Sequence, residues 1–130
     1  MKIEHVAWDV EAPREMAAWY CEHLGLRVVR HVPENAEMHF LADDSGTVCI
    51  EIYRNPKVET PDYRNQHPLL LHLALVSEDP DADRARLEAA GATFFEEDRL
   101  PDGSHLVMMR DPWGVSLQLC KRAKPFLEPW

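Results

Sequence analysis

A chain of 130 residues, 45% hydrophobic and 28% charged, is long enough to bury the core of one compact domain and has the balance of a soluble globular protein. Its formal net charge of -9 argues against general affinity for nucleic acid or anionic membrane, so an acidic ligand would need specific cationic contacts. No apolar run approaches the roughly 18 to 20 residues that span a bilayer, Met1-Lys2-Ile3-Glu4 lacks a signal-peptide pattern, and Cys21, Cys49 and Cys120 show no CxxC spacing, so reduced thiols and a cytoplasmic protein are expected.

In chain order, residues Ile3 to Val10 read as a strand. Pro13 suits the first position of a helix running to about Leu24, where Gly25 ends it. Leu26 to His31 and Met38 to Asp43 read as two further strands, and the turn Asp43-Asp44-Ser45-Gly46 leads into a fourth, Thr47 to Tyr53. Residues 54–68, charged and carrying Pro56, Pro61 and Pro68, read as a connector without an element of its own. The pattern then restarts. Leu69 to Ser77 is predicted as a strand, Asp79 as the cap of a helix that has Pro80 at its first position and runs through Ala90 to Gly91. Strands follow near Ala92 to Asp98, His105 to Arg110 and Val115 to Lys121, separated by Pro101-Asp102-Gly103 and Asp111-Pro112-Trp113-Gly114. The reading is one α+β domain over 1–130: a β-α-β-β-β module (about 1–53), a connector (54–68), a second module (about 69–121) and a tail (122–130).

The second half repeats the first at an offset of 67 residues. Ile3-Glu4-His5-Val6-Ala7 and Leu70-Leu71-His72-Leu73-Ala74 share an apolar residue two before a histidine and an alanine two after it, and the same offset pairs Glu51 with Gln118. Strand alternation puts Cys49, Glu51 and Tyr53 on one face, with Val48, Ile50 and Ile52 toward the core; Ser116, Gln118 and Cys120 take the corresponding face, with Val115, Leu117 and Leu119 inward. A lone histidine in an apolar strand is ordinarily a hydrogen-bonded core residue. Glu51 between two isoleucines changes the balance, because a buried carboxylate without a cation is costly. His5, Glu51, His72 and Gln118 together form a mixed nitrogen and oxygen donor set suited to a divalent ion, and these donor types do not choose among Ni, Co, Mn, Fe and Zn.

At Ile3-Glu4-His5-Val6, Trp19-Tyr20, Leu24-Gly25-Leu26, Ile50-Glu51-Ile52, Leu71-His72-Leu73-Ala74 and Asp111-Pro112-Trp113-Gly114 through Leu119, the chain resembles the vicinal oxygen chelate superfamily of glyoxalases, bleomycin-resistance proteins and extradiol dioxygenases. That resemblance implies paired βαβββ modules whose curved mixed sheet forms a cleft around a metal, with ligands on the first and fourth strands of each module, where His5, Glu51, His72 and Gln118 stand. It also implies a homodimer. Gln118 departs from the glutamate usual in bacterial glyoxalase I. Asn55 matches an asparagine those enzymes use for glutathione, whereas Asp9 stands where they carry a glutathione-binding arginine, which argues against glutathione. Methylmalonyl-CoA epimerases pair one carboxylate and one glutamine with two histidines, with the two interchanged.

The expected activity is that of a metal-dependent lyase, isomerase or epimerase acting on a small carbonyl substrate through an enediolate or enolate. Glu51 is the candidate base, against the alternative of a purely structural ligand. Tyr53, His39 and His105 are weaker candidates for lining the cleft, against packing or surface roles, and Arg54, Lys57 and Arg64 in the connector for an anionic tail. Two rival classes stay open: a non-catalytic small-molecule or drug-sequestering protein, and an Fe(II) dioxygenase using His5, His72 and Glu51. The tail Lys124 to Trp130 is read as packing across a dimer, covering the cleft or anchoring on its own fold.

Overall fold

The computed structural model describes residues 1–34 and 36–127. Two compact units divide the chain between Pro61 and Asp62. The first runs β1 (His5–Asp9), α1 (Pro13–Leu24), β2 (Arg27–Val32), β3 (Met38–Ala42) and β4 (Cys49–Tyr53). In the second, a 3-10 turn (Tyr63–Asn65) precedes β5 (Leu73–Val76), α2 (Pro80–Ala89), β6 (Thr93–Arg99), β7 (His105–Arg110) and β8 (Ser116–Lys121). Each unit holds one four-stranded mixed sheet, in the orders β1-β4-β3-β2 and β5-β8-β7-β6. The helical crossover makes the first and fourth strands of each unit parallel neighbours, and hairpin connections make the other pairs antiparallel.

Local sequence accounts for the helix ends. Pro13 opens α1 with its φ already helical, and Gly25, at φ 72, closes it in the left-handed region with its N–H on the Tyr20 carbonyl. On α2 the Asp79 carboxylate accepts the Ala82 N–H at 3.1 Å, satisfying one of the donors a helix start leaves open. The helix face of each sheet is the core. In the first unit Trp8, Leu41 and Ile52 are buried with Met16, Ala17 and Tyr20 of α1; in the second, Val107, Met109, Leu117 and Leu119 are buried with Leu87 of α2. Each such large apolar side chain contributes roughly 1.5 to 3 kcal/mol by leaving water.

Two expected elements are corrected. The fifth strand spans Leu73–Val76, not Leu69 to Ser77: the Leu70 N–H bonds to the His67 carbonyl and the Leu69 N–H to the His67 ring, so the chain turns there before pairing starts. The connector is not featureless either. Its second half coils into the 3-10 turn because the Arg110 guanidinium donates to the carbonyls of Tyr63, Gln66 and Gly114, while Arg64 donates to the Pro112 carbonyl. Its first half is held in the other unit: the Asp9 carboxylate accepts from the Asn55 N–H at 2.6 Å, from Arg54 at 3.2 Å and from the Thr60 hydroxyl. Of the tail, residues 128–130 lie outside the described residues. Among the described residues no helix is long and apolar enough to cross a membrane.

Candidate functional site

In the first unit, parallel pairing sets Ala7 opposite Glu51 and places His5 one step earlier on the same face of β1. The small alanine leaves room, and His5 Nε2 comes to 3.3 Å from Glu51 Oε2. The Glu51 side chain is only 13% exposed, against 39% for His5. On the other side of the His5 ring, Nδ1 bonds to the Glu4 carboxylate. That hydrogen bond raises the pKa of His5, partial desolvation opposes it, and the charges of Glu4 and Glu51 support it. Once Nδ1 carries the proton toward Glu4, the Nε2 lone pair faces the Glu51 carboxylate, an arrangement that calls for a proton or a metal ion between them. Phe40 pairs with Glu51 across β3 and stands edge-on to His5, ring centroids 6.1 Å apart.

The second unit repeats the arrangement with changed chemistry. Ala74 is opposite Gln118 on the parallel β5–β8 pair, as Ala7 is opposite Glu51. His72 stands just before β5, and its Nδ1 bonds to the Pro68 carbonyl at 3.1 Å. A carbonyl accepts only, so Nδ1 carries the proton and Nε2 is left as the ligating nitrogen. The Gln118 amide oxygen accepts from the Cys120 thiol at 3.3 Å, which orients the amide. Burial raises the pKa of that thiol, with the Arg122 charge opposing, and keeps it a donor. Each unit therefore presents one imidazole with Nδ1 committed to an oxygen and, on its fourth strand, one oxygen-bearing side chain opposite an alanine. This donor chemistry fits a divalent cation.

The weaker candidates separate. Tyr53 shares the Glu51 face. The Asn55 side-chain oxygen is used locally, accepting the Lys57 N–H at 3.0 Å. His39 and His105 lie on the opposite, helix-facing side of their sheets, in step with buried Leu41 and with Val107 and Met109. His39 Nδ1 donates to the Glu37 carbonyl at 3.0 Å, and His105 Nε2 lies 3.3 Å from Glu97. Each is thus on the core side of its own sheet. Both strands are apolar on either face, so alternation alone does not say which side turns inward.

Sequence reasoning also missed a grouping of Asp81, Glu97 and His105, whose ligand atoms lie within 4.8 Å of one another. Arg99 already donates to both Asp81 oxygens, at 3.1 and 3.2 Å, and lies 3.8 Å from Glu97, so a cation from the chain itself offsets part of the cluster's charge. The hydrogen bond from Arg99 lowers the Asp81 pKa, with slight desolvation opposing. Asp9 was noticed only for what it replaces. Its buried carboxylate serves the connector, a role visible only once residues 54–60 are seen folded back onto it.

A family model described as Glyoxalase/Bleomycin resistance protein/Dioxygenase superfamily matches residues 2–119. Among solved structures, the chain is similar to a glyoxalase family protein from Enterococcus faecalis (27% identity, TM-score 0.68, covering 92% of this chain and 97% of that one). It is similar to TnmS3, an antibiotic binding protein from Streptomyces sp. CB03234 (20%, TM-score 0.69, 92% and 93%). It is also similar to a glyoxalase I mutant from Zea mays (22%, TM-score 0.70), covering 95% of this chain and 46% of that longer one. No match was found among curated proteins.

Proposed function

Because the chain belongs to the Glyoxalase/Bleomycin resistance protein/Dioxygenase superfamily, we propose that it is a divalent-metal-dependent lyase, isomerase or epimerase of the glyoxalase I type, acting on a small carbonyl substrate. His5, Glu51, His72 and Gln118 would hold the metal. The observation that carries this reading is the meeting of His5 Nε2 and the Glu51 carboxylate at 3.3 Å, with Nδ1 of both His5 and His72 already engaged by oxygen. A divalent ion held there would supply Lewis-acid chemistry, making the C–H beside a substrate carbonyl more acidic. Glu51 is the base in this reading. Its carboxylate, with Ala7 and Phe40 opposite it on the neighbouring strands, would take the substrate proton and return it. Gln118, a neutral donor, leaves the centre more cationic than a second carboxylate would. A homodimer belongs to the same reading.

Titration of chelator-stripped protein with Mn2+ or Zn2+ by calorimetry tests it. The wild type is expected to take up about one ion per chain, and His72→Ala to bind at least about tenfold more weakly. Glu51→Gln is expected to abolish proton exchange in a carbonyl substrate even where metal is retained; full turnover would assign Glu51 a purely structural place. A non-catalytic binding role is the second reading, supported by the antibiotic-binding protein on the same fold. Ligand binding unaffected by EDTA would favour it over the enzyme.

A further inference from the structure

The site face of the first unit extends past the ligands. Registers place Ala7, Glu51, Phe40 and Arg30 in one row across β1, β4, β3 and β2, all on the same face. With strands spaced about 4.8 Å apart, the Arg30 Cα stands roughly 10 Å from that of Glu51, with Phe40 between them. The unit has four arginines, Arg14, Arg27, Arg30 and Arg54. Arg14 pairs with Glu37, Arg27 with Asp44 and Arg54 with Asp9. Among the described residues Arg30 has no carboxylate partner, in a chain of net charge -9. A charge on an edge strand also blunts edge-to-edge pairing, but any charged residue does that; a guanidinium in step with a carboxylate and an aromatic ring has a more specific use.

We propose that Arg30 is the anion anchor of the substrate site. The substrate then carries chelating carbonyl oxygens at one end, an apolar stretch over Phe40, and a carboxylate or phosphate that reaches Arg30. The assignment rests on the metal-chelate reading and adds a substrate class to it: anionic 2-oxo compounds in preference to neutral-tailed ones. The guanidinium fork suits a planar carboxylate or a phosphate through paired N–H donors.

Two probes of equal carbon count test the anchor, 2-oxoglutarate and 2-oxopentanoate. They share the chelating end and differ in a terminal carboxylate against a methyl group. Metal uptake is measured first by calorimetry on wild type, Arg30→Gln and Arg30→Lys, and the Mn2+-loaded proteins are then titrated with each probe. The wild type is expected to bind 2-oxoglutarate at least about tenfold tighter than 2-oxopentanoate, the scale of a charge-assisted hydrogen bond. Arg30→Gln brings the two within about twofold by loosening 2-oxoglutarate alone, and Arg30→Lys keeps an intermediate preference. Unchanged binding of 2-oxopentanoate certifies that the variants fold, and a role confined to guarding the edge would change self-association without changing the ratio. Loaded wild type without preference, or loaded Arg30→Gln with the wild-type ratio, overturns the anchor and leaves the metal reading standing. Failure of all three proteins to take up Mn2+ overturns the metal reading first and the anchor with it.

Discussion

His39 is buried, 6% exposed, among the side chains on the helix face of the first sheet. It stacks on His31 with centroids 4.2 Å apart. Burial lowers its pKa from the usual 6.5, the Glu37 carbonyl opposes the shift, and the neighbouring His31 adds to it. A histidine whose folded pKa is depressed binds fewer protons folded than unfolded, so stability is full above about pH 6.5 and is lost as pH falls toward the folded value. Thermal melts followed by circular dichroism are expected to show a falling midpoint between about pH 7 and 5.5, a slope that His39→Gln reduces. The same residue explains why its side was hidden in the sequence: Met38, Phe40 and Leu41 around it are all apolar.

At the level of elements, two glycines with similar backbone angles carry different constraints. Gly25, at φ 72, has nothing within 4 Å of where a Cβ would stand, so Gly25→Ala is expected to cost only the left-handed conformation, about 1 kcal/mol. Gly114, at φ 94, closes the β7–β8 turn against the 3-10 turn of the connector, and an added Cβ would meet Arg64 Cγ and come within 2.8 Å of Arg64 N and 2.9 Å of its Cα. Backbone atoms yield less readily than a side-chain tip. Gly114→Ala is therefore expected to lose about 3 kcal/mol, with the difference between the variants read from urea unfolding midpoints. The helix ends, the turn at Asp111 and the alternation of β4 and β8 were readable because each depends on neighbours a few residues away. The 3-10 turn was not, since it depends on Arg110, more than forty residues along the chain.

For the whole molecule, the proposed homodimer can be tested at a run of exposed apolar side chains. Leu69, Leu70 and Leu71 are 67%, 75% and 56% exposed, directly before the His72 that the proposed centre needs. Apolar runs of this kind rimming a site mark association surfaces. Sedimentation at micromolar concentration is expected to give twice the chain mass, and Leu70→Ser, a change at an exposed position that costs the fold little, to shift it toward the monomer. The paired α+β architecture followed from the sequence by itself, because the 67-residue repeat carries its histidines, alanines and oxygen donors at strand spacing, and proline and glycine punctuate both modules alike; the family was legible there only as a resemblance in short motifs. Tertiary structure alone decided that His72 stands before its strand, that His39 and His105 face the helices, and that Asp9 and Arg110 draw the two halves of the connector into different units. Those outcomes depend on hydrogen bonds and packing between residues distant in the chain, which local periodicity does not encode.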